Sequence, residues 1–84
     1  MPFWTYMLLC ADGRYFTGHT DNLEQRLADH QGGRDPRSWT YTRRPVSLVW
    51  AEQFATRAEA LDAEVRVGGW SRRKKEALIG GDWE

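Results

Sequence analysis

Trp4-Thr5-Tyr6-Met7-Leu8-Leu9-Cys10-Ala11-Asp12-Gly13-Arg14-Tyr15-Phe16-Thr17-Gly18 is the stretch whose reading decides the fold. Its first seven residues are rich in β-formers, and Asp12-Gly13 suits a tight hairpin because glycine tolerates positive φ. The pattern predicts a strand over 4–10, a turn, and a short returning strand over 14–18. Gly18, at the end of that second strand, marks a bulge or a point where another backbone or a ligand comes close.

Working outward, Thr20 and Asp21 are good N-caps, and Glu24 stands three residues after Asp21 as in a capping box. With Gly32-Gly33 as the stop, this predicts a helix over about residues 22–31. At 100° per residue Leu23 and Leu27 define its core-facing side, His30 lies about 40° from their mean direction and Arg26 about 80°, while Asp29 points away. Residues 32–45 carry Gly, Pro, Ser and Arg without periodicity and predict a long exposed loop, a feature more often functional than idle in so small a domain. Val46-Ser47-Leu48-Val49-Trp50 reads as a buried strand paired with the first. Thr56-Arg57-Ala58-Glu59 is a second capping box, opening a helix that Gly68-Gly69 closes. Its expected core side carries Ala58, Leu61, Val65 and Gly68, with Glu64 about 80° from the centre of that side. Ser71 caps a last helix from Arg72 to about Ile79, and residues 79–84 form a tail. The expected fold is α+β: a small three-stranded antiparallel sheet with helices packed around it, in the order ββαβαα.

The chain has 84 residues, 40% of them apolar, with 12 Lys+Arg against 12 Asp+Glu and one cysteine. That length leaves room for one core, so residues 1–84 are read as a single domain. Cys10 alone can form neither an internal disulfide nor a multi-thiolate zinc site, which fits a reducing, cytoplasmic setting. The longest apolar run, Met7 to Ala11, is far short of the ~20 residues of a membrane span, so no membrane partner is expected. Zero net charge argues against a uniformly basic nucleic-acid coat. Two local clusters stand out instead: Arg34, Arg37, Arg43 and Arg44, and the run Arg72-Arg73-Lys74-Lys75. Each fits a solvated face taken alone; together they suit a phosphate backbone, with Trp39 and Tyr41 available to stack on bases.

No nucleophile elbow, phosphate-binding Gly-rich loop or paired His on one helix is present. Tyr6 on the first strand, Arg26 and His30 on one helix flank, and Glu64 on the wall of another helix remain. Singly, each has an ordinary structural reading as a half-buried strand residue, a surface cation, a boundary histidine and a helix-stabilising carboxylate. Jointly they supply what metal-assisted phosphodiester hydrolysis needs: a base for water, a cation for the developing phosphorane-like charge, and a ligand that leaves a divalent ion open to substrate. One carboxylate suits a single Mg2+ or Mn2+ that keeps several waters.

With these residues in place, the sequence resembles the GIY-YIG nuclease superfamily, specifically its small stand-alone branch of single-domain bacterial proteins. The resemblance covers about residues 4–79. It rests on the stretches Trp4 to Gly13, Phe16 to His30, Tyr41 to Val46, Glu59 to Glu64 and Gly69 to Leu78, taken in that order and spacing. It implies that Tyr6 is a general base or water-orienting group, Arg26 the transition-state arginine, His30 an auxiliary polar group near the scissile phosphate, and Glu64 the sole protein ligand of a divalent metal. It further implies attack by an activated water without a covalent intermediate.

Two departures stand in the motifs. The first tripeptide reads Trp4-Thr5-Tyr6 and keeps only its tyrosine; the second reads Phe16-Thr17-Gly18, and Phe16 can neither donate, accept nor ionise. Tyr15 is adjacent but strand alternation turns it to the other face. His19 is a possible auxiliary for the missing hydroxyl, and equally a structural or surface histidine. Three readings follow. The first is a metal-dependent endonuclease acting on single-stranded or irregular DNA, with Trp39, Tyr41, Arg43, Arg44, Arg72, Arg73 and Lys74 as nucleic-acid contacts. The second is a catalytically weakened nucleic-acid-binding module, prompted by Phe16. The third is a protein-interaction domain, prompted by neutrality and by apolar surface at Trp70 and Trp83.

Overall fold

The computed structural model describes residues 2–81 of the chain. It consists of β1 (Phe3–Cys10), β2 (Tyr15–Thr20), α1 (Leu23–Gly32), a 3-10 turn (Tyr41–Arg43), β3 (Val46–Phe54), α2 (Arg57–Gly68) and α3 (Arg72–Gly80). The three strands form an antiparallel sheet in the order β2-β1-β3, giving the expected α+β order ββαβαα. Gly13 takes the positive φ (85°) that the hairpin turn requires.

Alternation along β1 separates two faces. Leu8 and Cys10 join Val46 of β3 in a core on which Phe16 and Leu27 of α1 pack. Thr5, on the opposite side of the strand, lies under α2, where its hydroxyl donates to the Ala60 carbonyl at 2.6 Å. β2 follows the same alternation. Phe16 packs against His30 of α1, whereas Tyr15 turns to α3, its hydroxyl donating to Glu76 at 3.4 Å beneath the Arg72 guanidinium.

Several local expectations are corrected. The first helix is capped by Asn22, whose side chain accepts from the Gln25 amide; Asp21 is one residue too early and pairs with Arg57 at 3.6 Å. The capping box of α2 forms as Thr56 and Glu59 predict. The register of α2 differs from the one read off its large apolar residues. Ala60, Ala63 and Val67 are its buried stripe, while Leu61 and Val65 are 44% and 69% exposed. Alanines let the helix backbone approach the sheet closely enough for the Thr5–Ala60 bond, a distance that Leu61 and Val65 would prevent. Glu64 follows the buried Ala60 by one turn and so leans toward β2, where it meets His19, rather than standing at the margin of a leucine face. β3 continues to Phe54 and is only partly buried beyond Val46, as an edge strand is. α3 ends at Gly80, with Gly81 in the left-handed cap position, so the chain up to there is not tail.

Gly18 of β2 pairs with Tyr6 of β1. A Cβ built there would meet the Tyr6 hydroxyl oxygen at 2.6 Å, so the close approach expected at this glycine is that of the phenol. Tyr6 is 1% exposed and cannot swing away. Gly18→Ala is expected to lower stability by about 1–3 kcal/mol through overpacking, read as a shift of the urea midpoint; an unchanged midpoint would show that the phenol relaxes freely.

α1 buries one side chain, His30. Burial holds its imidazole below the usual pKa, and the Arg26 charge acts in the same direction. The folded state therefore keeps His30 neutral at pH values where the unfolded chain protonates it. This contribution to stability is complete above pH ~6.5 and is lost as pH falls through the window below it. The urea midpoint should drop between pH 7 and 5, and His30→Gln should flatten that dependence; equal slopes for both proteins would contradict it.

Candidate active site

The candidate residues gather around the β2 edge of the sheet in two groups, one on each face. On the α1 side, Tyr6 Oη is hydrogen-bonded to His30 Nε2 at 3.0 Å, and His30 Nδ1 to Thr40 Oγ1 at 2.8 Å. Phe16 closes this group edge-on to His30, with ring centroids 5.0 Å apart. On the α2 side, His19 Nδ1 and Glu64 Oε1 are 2.5 Å apart. His19 is paired with Thr5 across the β1–β2 ladder, on the face opposite Tyr6 and Gly18.

Charges from both groups act on Tyr6. Burial pushes its pKa up to about 12; the Arg26 guanidinium opposes this by charge and hydrogen bonding, and the Glu64 carboxylate adds to it. The phenol thus feels the charge of Arg26 and, more weakly, that of Glu64 on the other face of the sheet. The Glu64 side chain is 29% exposed, neither buried nor turned away from solvent.

Arg26 opens onto a groove of about 610 Å³ between α1 and the 33–41 loop. Arg34 and Arg37 also line it, but Arg34 pairs with Asp29 at 3.7 Å and Arg37 with Asp35 at 3.5 Å. Among the described residues, no carboxylate forms an ion pair with Arg26. His30, Thr40 and Tyr41 belong to the same groove wall.

The other nucleic-acid-binding candidates divide. Tyr41 lies on the groove, with the Arg44 guanidinium 4.3 Å over its ring. Arg44 Nε also donates to the Tyr41 carbonyl at 2.8 Å, folding that side chain into the loop. Arg43 stacks on Trp39 at 4.0 Å, donates to the Trp39 carbonyl at 2.7 Å and pairs with Asp12 at 3.2 Å. Trp39 in turn stacks on Phe16 yet stays 40% exposed. Arg72, Arg73 and Lys74 begin α3, on the Tyr15 side of the sheet and away from the groove; Arg72 donates to the Gly13 carbonyl and pairs with Glu76. Trp70 is half-buried with the Lys74 ammonium 4.3 Å over its ring, and Trp83 lies outside the described residues.

Sequence reasoning missed Thr40 and Ser38. Thr40 is 1% exposed, and its hydroxyl touches both His30 and the Ser38 hydroxyl. Neither residue carries a motif or a periodic position, and the only available signal was a pair of hydroxyl residues in a long loop. The link between His19 and Glu64 was equally invisible, because 45 residues separate them.

The donor set can be tested against a divalent ion. Among the described residues there is no group of three His, Cys, Asp or Glu side chains able to cage a metal. A lone, part-exposed carboxylate with one oxygen engaged by an imidazole fits an ion that keeps most of its waters and takes its remaining contacts from phosphate.

The chain resembles known proteins over nearly its whole length. Residues 2–77 match the family model described as the GIY-YIG catalytic domain. A UPF0213 protein of Bacillus pumilus is 43% identical over 74 residues, covering 88% of this chain and 74% of the relative. One from Halobacterium salinarum is 41% identical over 74 residues, covering 88% and 95%. Among solved structures, the solution NMR structure of the UPF0213 protein BH0048 from Bacillus halodurans superposes with a TM-score of 0.60 at 36% identity, covering 95% of this chain and 84% of the other. That of EF2693 from E. faecalis gives 0.65 at 34% identity, covering 96% and 85%. The domain match points to nuclease-type activity on nucleic acid, and no helix among the described residues is long and apolar enough to cross a membrane. The match over residues 2–77, and the UPF0213 relatives that share this fold, establish that the chain belongs to the GIY-YIG catalytic domain family.

Proposed function

We propose that the protein is a divalent-metal-dependent endonuclease that hydrolyses phosphodiester bonds in DNA, single-stranded or irregular in structure, with water as the nucleophile. The observation that carries this reading is the Tyr6–His30 pair, bonded at 3.0 Å beside the groove onto which Arg26 opens, with the Glu64 carboxylate held by His19 on the other face of β2. Family membership supports the reaction class, and the side chains supply the roles.

Arg26 opens on the groove and forms no ion pair with a described carboxylate, so its charge is available to a phosphate, where it would stabilise the dianionic phosphorane-like transition state. Tyr6 holds the water, or takes its proton, from a fixed position, because Gly18 and His30 leave its ring one place to lie. Glu64 is the residue that would hold a single Mg2+ or Mn2+, with His19 fixing the direction of its carboxylate. Such an ion, when bound, supplies charge neutralisation at the phosphate.

A single strand is the substrate form this reading assigns to the groove. Tyr41 lines it and the 40% exposed Trp39 lies between its lining residues Ser38 and Thr40 in the chain, aromatic surface that would suit unpaired bases. Arg34 and Arg37 extend its cationic wall beyond Arg26 and would track the backbone in a salt-dependent manner.

Incubation with labelled single- and double-stranded DNA and Mg2+ or Mn2+ tests the proposal. Arg26→Ala and Glu64→Ala should each lower cleavage by about 100-fold or more, and Glu64→Ala should also weaken Mn2+ binding measured by calorimetry. Undiminished cleavage by both variants would place the activity elsewhere.

Phe16 favours a second reading, a nucleic-acid-binding module with weakened catalysis. Its ring lies among Tyr6, His30 and Trp39, where the family's tyrosine would bring a hydroxyl. Phe16→Tyr separates the two readings. A weakened enzyme gains cleavage from the restored hydroxyl, whereas in an enzyme already served by Tyr6 and His30 the rate stays level or falls.

A further inference from the structure

Thr40 and Ser38 belong to no motif, yet they prolong the Tyr6–His30 pair into a continuous chain. Tyr6 Oη to His30 Nε2 is 3.0 Å, His30 Nδ1 to Thr40 Oγ1 is 2.8 Å, and Thr40 Oγ1 to Ser38 Oγ is 3.1 Å. Tyr6, His30 and Thr40 are all buried, while Ser38 is half-buried and lines the groove. The chain therefore joins the interior phenol to the solvent of the groove.

Its two ends indicate which way the hydrogens point. The positive charge of Arg26 acts on the phenol to lower its pKa, which favours the Tyr6 hydroxyl as the donor and His30 Nε2 as the acceptor of their 3.0 Å bond. At the other end, Ser38 Oγ already accepts the Thr40 backbone amide at 3.4 Å. Its second lone pair is open to the Thr40 hydroxyl at 3.1 Å, an arrangement that leaves the Ser38 hydrogen for groove water. In this direction His30 is the neutral tautomer protonated on Nδ1, and that nitrogen donates to Thr40 Oγ1 at 2.8 Å.

We propose that Tyr6, His30, Thr40 and Ser38 form a directed proton path from the phenol to the groove, and that Thr40 is a positioning residue that sets the His30 tautomer. The proposal rests on the nuclease reading for its use. As water attacks phosphorus, its proton passes to Tyr6 Oη, and the phenol's own proton passes to His30 Nε2. The Nδ1 proton moves to Thr40, the Thr40 proton to Ser38, and the Ser38 proton to water. His30 ends neutral in its other tautomer, one proton having entered the chain and one having left. A buried imidazole beside Arg26 is a poor place to store a positive charge, so a partner that releases the far proton is what lets His30 serve. The path also answers Phe16, because it gives the one remaining motif tyrosine a proton acceptor of its own.

Nitrogen-15 NMR of the histidine rings in the whole chain without added metal tests the path directly. At pH 7.5, His30 should be neutral and protonated on Nδ1. Thr40→Val should remove that preference and Thr40→Ser retain it. In the cleavage assay, Thr40→Val should lower kcat by about 10- to 100-fold with KM unchanged, and Thr40→Ser should restore most of the rate. A wild-type His30 protonated on Nε2, or carrying both protons, overturns the path whatever the cleavage result; so does a folded Thr40→Val protein that cleaves at the wild-type kcat. Absence of cleavage by the wild-type protein would remove the nuclease reading, and the wild-type tautomer would still decide the chain. If Thr40→Val does not fold, the wild-type and Thr40→Ser spectra carry the decision.

Discussion

A hydroxyl that is 1% exposed has to find its hydrogen-bond partner inside the protein, because leaving it unpaired costs about 1–3 kcal/mol. The Tyr6 phenol meets that demand at His30, and the demand organises the molecule around it. It draws the end of α1 onto the sheet and requires glycine at position 18, and it leaves a buried imidazole whose second nitrogen must be satisfied in turn. Thr40 provides that satisfaction, so the loop after α1 is tied down where it would otherwise be free to wander. Gln31 adds a second tie, exchanging side-chain hydrogen bonds with the backbone of Val46 at 2.5 and 2.8 Å and so joining α1 to β3. The same contacts that close the fold therefore shape the groove.

The electrostatics follow from this geometry. A neutral chain cannot attract a polyanion through its net charge, so attraction has to be local. In the groove, two of three arginines are partnered by aspartates, and Arg26, the one nearest the phenol, is left to act outward. Glu64 sits across the β2 edge, engaged by His19 and not by a cation of the groove. Keeping the acid and the arginine on different faces of one strand prevents them from neutralising each other, which a direct ion pair would do.

Local chemistry was legible in the sequence and cross-chain chemistry was not. The Asp12-Gly13 turn, the Thr56–Glu59 capping box and the stop at Gly33 depend on residues within four positions of one another, and each occurs where composition indicates. The α2 register was misread because apolar size was taken as the guide to burial. The helix instead presents alanines to the sheet, since close approach is worth more there than extra side-chain volume. Arg26 and His30 were legible as neighbours one turn apart on one helix flank. The pairing of His19 with Glu64 needed β2 and α2 in contact, and Thr40 needed the path of an aperiodic loop. Arg43 and Arg44 looked like free cations, yet both are stacked on aromatic neighbours and bonded to carbonyls of their own loop.

Phe16 shows how a lost hydroxyl redistributes work. Its ring still fills the space beside Tyr6 and His30 and stacks on Trp39, so the packing role of an aromatic at that position is kept. What is lost is a donor and acceptor next to the phenol, and a dry aromatic there strengthens the remaining polar contacts by lowering the local dielectric. That environment is part of why the phenol holds its proton so firmly, with a pKa near 12. On the proposed nuclease reading, a phenol so reluctant to ionise takes up one proton as it gives away another within a hydrogen-bonded chain, since free phenolate is scarce at neutral pH. On that reading Thr40, bonded to the far nitrogen of His30, is as much a part of the chemistry of Tyr6 as its own hydroxyl.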